Sequence, residues 1–457
     1  MEAKAAYDVH LHAFNLSHPS LSTFARRAFR ELAAQLLRPR HLPIALLVLV
    51  LAAGLILLGA LLLLVYWLAP LRRLARSLIH AVIGRIKHLL QRFANLLLVL
   101  ENDIGSTFLL MENCLRDPEN PLLDAAGVHL GDACYERLVL TPLMMDFGYK
   151  SKTAPGTEVS RKWFRYDIPA GKPIVEQVVD VFRAIRVYAE TESSEKLTAK
   201  YPALDPTTKR VFEIYPFLGL NPANYTLAKI EGLLEKYFAH YSGRRADYLA
   251  QYAHFDGNID HLGDHVFAGI KVYPPLGFDP WPAGDRTAMA KIERLYDTCS
   301  TKGIPLITHG GKGGFVTVDR ERLRRITDVS KWEQALKRYP DLRIDLAHFP
   351  MGRIESTRQQ HSLSLVLEYE NVYVDLSCRA TSDDYYQRLR ALLDRLPVED
   401  AETLRCRILF GSDFAVNLMW IESYNRYLDL FSRTEALTQA EKHAFCSVNP
   451  EQFLFRA

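Results

Sequence analysis

The sequence predicts an α/β protein, a (β/α)8 TIM-type barrel with a long hydrophobic and basic helical insertion between strands 1 and 2. Two observations lead to this fold class. After residue 130, short β-like runs alternate with helical patterns, which is typical of βα units around a parallel sheet. One more strand-like run contains DVHLH, residues 8–12, far upstream of the others. Eight such strands close into a barrel, and barrel enzymes carry their chemistry at the carboxyl ends of the strands.

The individual elements follow from the alternation of apolar runs and amphipathic patterns. The seven later strands are predicted near 137–146, 210–217, 267–273, 304–309, 342–348, 371–377 and 407–413. The helices predicted between them include 226–241, 288–302, 331–339 and 383–395. The polar region 149–209 is predicted to be a long loop with some helix over the barrel mouth. Residues 1–15 would thus supply the first strand, 16–130 the insertion and 131–457 the rest of the barrel.

The composition is that of an ordinary globular protein. The chain has 457 residues, of which 49% are hydrophobic and 24% are charged. Its six cysteines form no CxxC pair, which argues against a disulfide framework and a zinc ribbon and fits a reducing compartment.

The net charge of +3 is divided unevenly along the chain. Residues 16–100 contain eleven Lys or Arg and one acid, a balance of 11 − 1 = +10, so the remainder carries +3 − 10 = −7. A basic insertion on an acidic body indicates an anionic surface as the partner of the insertion alone. We expect that partner to be a membrane surface or bilayer leaflet, and we expect no nucleic-acid binding.

An apolar run lies inside the basic insertion. Residues 44–69 are twenty-six positions without a charge, between Pro43 and Pro70. One full crossing would separate the first strand from the rest of the barrel, so the run is interpreted as a helical hairpin in one leaflet, followed by a basic amphipathic helix at 71–100. Basic residues on both sides of the run place both flanks on the cytoplasmic face of the membrane. The alternative is a cytoplasmic protein in which the hairpin is buried in a homo-oligomer interface.

Polar residues recur where the predicted strands end. His10 and His12 share one face of the first strand because side chains two apart in a strand point the same way. The other strand-end residues are Lys271 in GIKVYPP, His309 in LITHGG, His348 in DLAHFP and Asp413 in LFGSD. Residues at the carboxyl ends of barrel strands face a shared pocket, and this combination of residue types predicts a metal site.

This order of residues resembles the amidohydrolase superfamily, in particular the branch that includes aminocarboxymuconate semialdehyde decarboxylase and related hydrolases. The resemblance covers the first strand and residues from about 137 to the end, where SVNPEQFLF is similar to the closing helix of that branch. It implies that His10, His12, His309 and Asp413 hold one divalent metal, commonly zinc, and that His348 stands beside the reacting group. The insertion departs from the pattern of the branch.

The predicted function is a metal-dependent hydrolase that uses metal-activated water. Zinc with an open position lowers the pKa of bound water, Asp413 would act as general base, and His348 would polarise the carbonyl or hold the oxyanion. A metal-dependent decarboxylase or hydratase of a carboxylate substrate is the alternative, since members of the branch perform such chemistry. An inactive barrel with a scaffold role is the third option, and the intact ligand set weighs against it.

Three residues are predicted to contact the substrate: Lys271, Tyr273 and Arg353. Lys271 would bind a substrate carboxylate, with Tyr273 as a neighbouring donor. Some superfamily enzymes instead carboxylate a lysine of the fourth strand to bridge two metals, and a lysine paired with an acid across the barrel is a further possibility. Arg353 follows His348 closely enough to reach a substrate anion, although it could equally be a surface residue.

Overall fold

The computed structural model describes residues 5–19, 87–88, 90–119, 121–148, 172–190, 200–202, 204, 210–248, 255–352 and 356–456. Within these residues one parallel sheet runs in the order β1, β4, β6, β7, β8, β9, β10, β11, with β5 paired to β4. Its strands are β1 (Ala5–His12), β4 (Arg137–Leu143), β5 (Phe212–Ile214), β6 (Phe217–Gly219), β7 (Gly269–Val272), β8 (Leu306–Thr308), β9 (Ile344–Leu346), β10 (Val372–Asp375) and β11 (Ile408–Leu409). A separate antiparallel hairpin joins β2 (Val128–Leu130) to β3 (Ala133–Tyr135).

The first and last strands meet and nearly close the barrel. The backbone N–H of Val9 donates to the carbonyl of Phe410 at 3.0 Å, and the N–H of Asp413 donates to the carbonyl of His10 at 2.5 Å. A parallel bridge also joins Leu11 to Phe414. The predicted (β/α)8 barrel is therefore confirmed, and its first and last strands lie side by side.

The helices pack outside the sheet. They are α1 (Ile104–Leu115), α2 (Ile174–Glu190), α3 (Leu227–Phe238), α4 (Arg286–Lys302), α5 (Arg320–Ile326), α6 (Ser330–Arg338), α7 (Thr357–Glu368), α8 (Asp383–Arg395), α9 (Val398–Arg405), α10 (Tyr424–Arg433), α11 (Gln439–His443) and α12 (Asn449–Leu454). Residues 90–101 are also helical. Every predicted strand contains an observed strand, and the four named helices occur as α3, α4, α6 and α8.

Helix α4 illustrates how the local sequence sets these boundaries. The side chain of Asp285 accepts a hydrogen bond from the N–H of Ala288 and so caps the first turn. Gly303 ends the helix with φ 65°, a left-handed conformation that glycine adopts without strain. One face of the helix buries Leu295 and Tyr296 against the barrel.

The third predicted strand differs from the prediction in being split. Residues 210–217 contain β5 and the start of β6, and Tyr215 and Pro216 separate the two. Proline has no N–H to donate to a neighbouring strand, so Pro216 interrupts the ladder. The carbonyl of Pro216 still accepts a hydrogen bond from the N–H of Ala268 at 2.9 Å. This bond connects the segment between β5 and β6 to the segment that precedes β7.

Most of the insertion lies outside the described residues. The predicted apolar hairpin at 44–69 is in that part, as is most of the predicted amphipathic helix at 71–100. Of the helices that the structure describes, none is both long enough and apolar enough to cross a membrane. The division of the chain at residues 15 and 130 stays a prediction. In the polar region 149–209, the described residues include helix α2.

The amino end of the barrel holds a cluster of paired polar side chains, which we call the amino-end cluster and which consists of Tyr7, Arg137, Glu213, Tyr215 and Arg245. One carboxylate oxygen of Glu213 lies 2.5 Å from Nη2 of Arg245, and the other is bonded to Arg137. Arg245 also donates to Tyr7 at 3.2 Å and to Tyr215 at 3.3 Å. Each charge in this cluster therefore has a partner of opposite sign.

Candidate metal centre

The carboxyl ends of four strands bring five polar residues together, and we call them the rim cluster: His10, His12, His309, His348 and Asp413. The two histidines of β1 point to the same side, as their spacing predicts. His348 and Asp413 follow β9 and β11 in the left-handed backbone region, with φ 64° and 63°. Such a conformation is uncommon for residues other than glycine and is concentrated at functional sites.

The side chains of the rim cluster contact one another directly. Nε2 of His12 lies 2.9 Å from Oδ1 of Asp413, and Nε2 of His10 lies 3.8 Å from the same oxygen. Nδ1 of His309 lies 3.0 Å from Nε2 of His348. All five residues predicted from the strand ends thus meet at one place.

Three members of the rim cluster fit a metal ion by their chemistry. Each of His10, His348 and Asp413 offers a ligand atom, these atoms all lie within 4.8 Å of one another, and all three side chains are buried. Imidazole nitrogen and carboxylate oxygen are ligands that Zn²⁺ and related divalent ions accept. The assignment of His10, His12, His309 and Asp413 as the ligands stays a prediction, because His12 contacts Asp413 and His309 contacts His348 in this structure.

The protonation states suit metal binding. Burial lowers the pKa of His12 to about 4 and the pKa of His348 to about 3, so both imidazoles are neutral at pH 7. Burial alone would raise the pKa of Asp413, but the hydrogen bond from His12 and the nearby histidines outweigh it and hold that pKa well below its usual range. Neutral imidazoles and an ionised carboxylate are the forms that coordinate a metal.

The residues predicted to bind substrate lie at different depths. Lys271 is 1% exposed, and its Nζ lies 3.2 Å from Nε2 of His10. Burial lowers the pKa of Lys271, and the nearby carboxylates oppose that shift. Tyr273 lines the cavity, where its ring stacks on His309 at 4.3 Å between centroids. Arg353 lies outside the described residues, so its predicted role is untested.

The cavity above the rim cluster has further walls that the sequence analysis did not single out. Its lining consists of Phe315, Trp420, Cys378 and Arg379 together with His12, His309, His348 and Asp413. The side chains of Asp375 and Ser377 lie beside His10 and His348. Asp375 and Ser377 stand at the end of the seventh predicted strand, NVYVDLS, so the strand-end rule could have found them.

Comparison with known families gives a match over part of the chain. The family model described as amidohydrolase, Amidohydro_2, matches residues 255–456, which contain β7 to β11 and the rim residues His309, His348 and Asp413. No curated protein sequence matches the chain.

Several solved structures are similar to this chain at low identity. A structure described as an amidohydrolase II has 13% identity and a TM-score of 0.35, and the match covers 76% of this chain and 87% of that one. A 2,6-dihydroxybenzoate decarboxylase from Rhizobium has 12% identity and a TM-score of 0.34, over 70% and 84% of the two chains. A 5-carboxyvanillate decarboxylase from Novosphingobium aromaticivorans, complexed with manganese, has 11% identity and a TM-score of 0.36, over 73% and 78%.

The family match agrees with the residues that the sequence placed at the strand ends. The matched region carries three of the five rim residues, and the closure of β1 against β11 adds His10 and His12 to them. Residues 255–456 therefore match the model of the amidohydrolase-2 family, which is the family that the strand-end residues were predicted to resemble.

Proposed function

We propose that the chain is a metal-dependent decarboxylase of a small carboxylate substrate. The observation that carries this proposal is the position of Arg379, a cation in the wall of the same cavity that the rim cluster lines. A guanidinium group binds carboxylates through paired hydrogen bonds, so Arg379 gives the cavity a site for a substrate anion. Two of the solved structures compared above are named decarboxylases, but the proposal depends on the cavity and not on that likeness.

The side chains divide the work of this reaction. A divalent metal held by His10, Asp413 and neighbouring histidines would supply a Lewis acid for substrate oxygens. Arg379 would orient the carboxylate, while the rings of Tyr273, Phe315 and Trp420 exclude water from the reacting carbon.

The chemical step requires a proton at the carbon that loses its carboxylate. The C–C bond breaks, CO2 leaves, and the electron pair left on carbon takes up a proton. Nδ1 of His309 and Nε2 of His348 lie 3.0 Å apart in the cavity wall. Burial keeps His348 neutral at pH 7, so the proton would come from solvent water and reach the carbon through His309 and His348.

Hydrolysis is the second candidate, and the state of Asp413 favours it. An ionised carboxylate that His12 orients at 2.9 Å is already in the form that accepts a proton from water. His348 would then polarise the substrate carbonyl, as the sequence predicted. Asp413 would start as a base in hydrolysis, whereas decarboxylation needs a proton donor.

A product analysis separates the two candidates. The purified protein is loaded with Zn²⁺ or Mn²⁺ in parallel and supplied with a panel of aromatic carboxylates, amides, esters and lactones in ¹⁸O-labelled water. Decarboxylation predicts CO2 release in equal amount to substrate loss, with no ¹⁸O in the organic product. Incorporation of ¹⁸O without CO2 would replace the proposal by hydrolysis. The two metal arms test the expectation of zinc.

Arg379→Gln tests the anion site within that assay. The variant keeps a polar side chain but loses the charge, so KM for a carboxylate substrate should rise about tenfold or more, with a smaller change in kcat. Glutamine at the exposed Arg286 is a matched control and should leave KM unchanged. An unchanged KM in Arg379→Gln would remove the observation on which the carboxylate assignment depends.

We also propose that the insertion attaches the enzyme to the cytoplasmic face of a membrane. The apolar run at 44–69 and the eleven basic residues in 16–100 support this proposal. Replacing 44–69 by a Gly/Ser linker should abolish co-sedimentation with anionic vesicles and leave turnover of a soluble substrate intact. If the linker variant instead changes from oligomer to monomer in size-exclusion chromatography and vesicle binding was never present, the run belongs to an oligomer interface.

A further inference from the structure

Asp375 is the last residue of strand β10, Ser377 follows it two residues later, and both side chains are fully buried. They contact His10, which comes from β1, and His348, which follows β9. One short stretch of chain therefore touches two histidines that come from other strands.

Asp375 contacts His10 through one oxygen and a group of donors through the other. Its Oδ2 lies 2.6 Å from Nδ1 of His10. Its Oδ1 accepts from the hydroxyl of Ser377 at 2.6 Å and from the backbone N–H groups of Ser377 and His348 at 3.1 and 2.7 Å. Because Oδ1 already accepts three hydrogen bonds, Asp375 has the pattern of a carboxylate that accepts through both oxygens, so Nδ1 of His10 donates to Oδ2.

The proton on His348 follows from the same network. The hydroxyl of Ser377 has one hydrogen, which it donates to Asp375, so toward Nδ1 of His348 at 2.8 Å it can only accept. The backbone carbonyl of Ser377 also lies 3.2 Å from that nitrogen and can only accept. Two acceptors thus require a hydrogen on Nδ1 of His348. With its hydrogen on Nδ1, the ring has its lone pair on Nε2, which lies 3.0 Å from Nδ1 of His309.

We propose that Asp375 and Ser377 are positioning residues that fix the proton on Nδ1 of both His10 and His348, so that both rings direct Nε2 at the rim cluster. The consequence extends to a third ring. His309 must donate through Nδ1 to Nε2 of His348 at 3.0 Å, which leaves Nε2 of His309 as its lone-pair nitrogen. A single carboxylate on β10 therefore determines the tautomers of three histidines, and tautomer assignments of this kind follow from the hydrogen-bond network.

The proposal rests on the metal site of the proposed function, and its physical reason is general. A metal binds only an unprotonated nitrogen, and a partner of the other ring nitrogen keeps the correct tautomer in place. Asparagine at position 375 would offer N–H to one of its neighbours and could not accept through both terminal atoms. His10 would then be released to carry its hydrogen on Nε2, the atom that faces the metal centre.

Asp375→Asn tests this with two readouts that need no substrate. Zn²⁺ and Mn²⁺ affinity is measured by competition with a chelating dye, and we expect a 10- to 100-fold loss. Nitrogen-15 spectra of the metal-free, histidine-labelled protein report which ring nitrogen carries hydrogen, and we expect the His10 signals to change tautomer. Unchanged affinity together with an unchanged His10 tautomer would overturn the proposal.

Asp8→Asn is the matched control. Asp8 is also fully buried and also accepts several hydrogen bonds, from the N–H groups of His10 and Ser412 and from the hydroxyl of Tyr424. None of these donors is an imidazole ring, so Asp8→Asn should keep metal affinity within about threefold and leave the histidine tautomers unchanged. An equal loss of affinity in both variants would reduce Asp375 to a general packing role.

If Asp375→Asn does not fold, two other measurements test the proposal: the nitrogen-15 spectrum of Ser377→Ala and that of the wild-type protein. Ser377→Ala should leave His10 unchanged and give His348 a mixture of tautomers. A wild-type His348 with its hydrogen on Nε2 would contradict the proposal directly. A protein that binds no divalent metal but shows the expected tautomers would instead disprove the proposed function while leaving the positioning network intact.

Discussion

Two polar clusters occupy opposite ends of the same barrel, and they are built differently. In the amino-end cluster, which is partly exposed, Glu213 lies between Arg137 and Arg245, so opposite charges pair with one another. In the rim cluster, Asp413 lies beside His10 and His12, and Lys271 lies 3.2 Å from His10. A group of metal-ligand side chains that is largely buried at the rim of a barrel indicates a function.

The pKa shifts at the two ends of the barrel have different causes. Burial raises the pKa of Glu213, but the hydrogen bonds and charges of Arg245 and Arg137 outweigh burial and lower it. The arginines already supply the positive charge that this carboxylate needs. At the rim, the low pKa values of His12 and His348 mean that these two imidazole rings are uncharged beside Asp413 at pH 7. The amino end is thus arranged for stability and the rim for binding.

The largest effect should come from Asp413→Asn at the rim. Loss of the carboxylate removes a predicted metal ligand and proton carrier, so kcat/KM of the metal-loaded enzyme should fall about 10²- to 10⁴-fold while the circular dichroism spectrum stays native. Asp256→Asn, at an exposed Asp–His pair with His261, is the control and should be fully active. Full activity of Asp413→Asn would contradict the assignment of this carboxylate to metal binding and proton transfer.

Glu213→Gln should have the opposite consequence at the amino end. Removing the charge leaves Arg245 and Arg137 without their acid, so the free energy of unfolding in urea should fall by about 2 kcal/mol. Activity per folded molecule should not change. Glu402→Gln, at an exposed pair with Arg405, should cost far less. If Glu213→Gln lost turnover while the protein stayed fully folded, the assignment of the amino end to stability alone would be wrong.

The pH dependence of stability should distinguish the clusters again. His348 is neutral when folded and takes up a proton below about pH 6.5 when unfolded, so it destabilises the fold progressively as pH falls toward 3. In metal-free protein, His348→Asn should therefore gain roughly 1 to 2 kcal/mol over wild type between pH 7 and pH 5. The comparison uses the variant because Asp8, whose pKa burial raises to about 7, acts in the opposite direction in wild type.

Glu213 contributes to stability with the opposite sign, and its contribution changes in a lower range of pH. Its lowered pKa contributes stability that is present above the unfolded value, about 4.3, and is lost as pH falls below it. Between pH 7 and pH 5, the free energy of unfolding in urea should therefore change because of His348, and Glu213 should contribute almost nothing to that change. An equal difference between His348→Asn and wild type at all three pH values would contradict this assignment.

A matched pair of tyrosines should give the smallest effects. The hydroxyl of Tyr215 accepts from Arg245 at 3.3 Å, and the hydroxyl of Tyr273 accepts from the N–H of Phe315 at 3.2 Å. Tyr215→Phe should cost about 1 kcal/mol of stability and leave KM unchanged. Tyr273→Phe should raise KM a few-fold, because it releases a segment of the cavity wall, with little change in melting temperature. A rise of KM in Tyr215→Phe, or a loss of stability in Tyr273→Phe, would contradict the assignment of stability to the amino end and of binding to the rim.

The barrel and the meeting of its strand-end residues could be predicted because both depend on local patterns. Strand-like runs predict a parallel sheet, and a parallel sheet brings every carboxyl end to one rim. His309, His348 and Asp413 could therefore be placed together although many residues separate them. The split at Pro216 could also have been read from the sequence, since proline cannot donate to a ladder.

The contacts within the site could not be predicted, because they depend on side-chain depth and rotamer. The sequence left Lys271 open as a substrate contact, a carboxylated metal bridge or a partner of an acid, and the structure buries it beside His10. Asp375 and Ser377 stood in a recognised strand, but nothing in the sequence states that both reach the same two histidines. Which oxygen meets which nitrogen is set by three-dimensional packing, and periodicity carries no information about it.

The contact between β1 and β11 has a consequence for synthesis in the cell. Asp413 leaves the ribosome long after the strand that carries His10 and His12. Until β11 docks, Asp413 is not beside the two histidines, and the metal site lacks one of its predicted ligands. Acquisition of the ion and completion of the barrel should thus coincide, which would make metal-dependent protection from proteolysis a direct reporter of the final folding step.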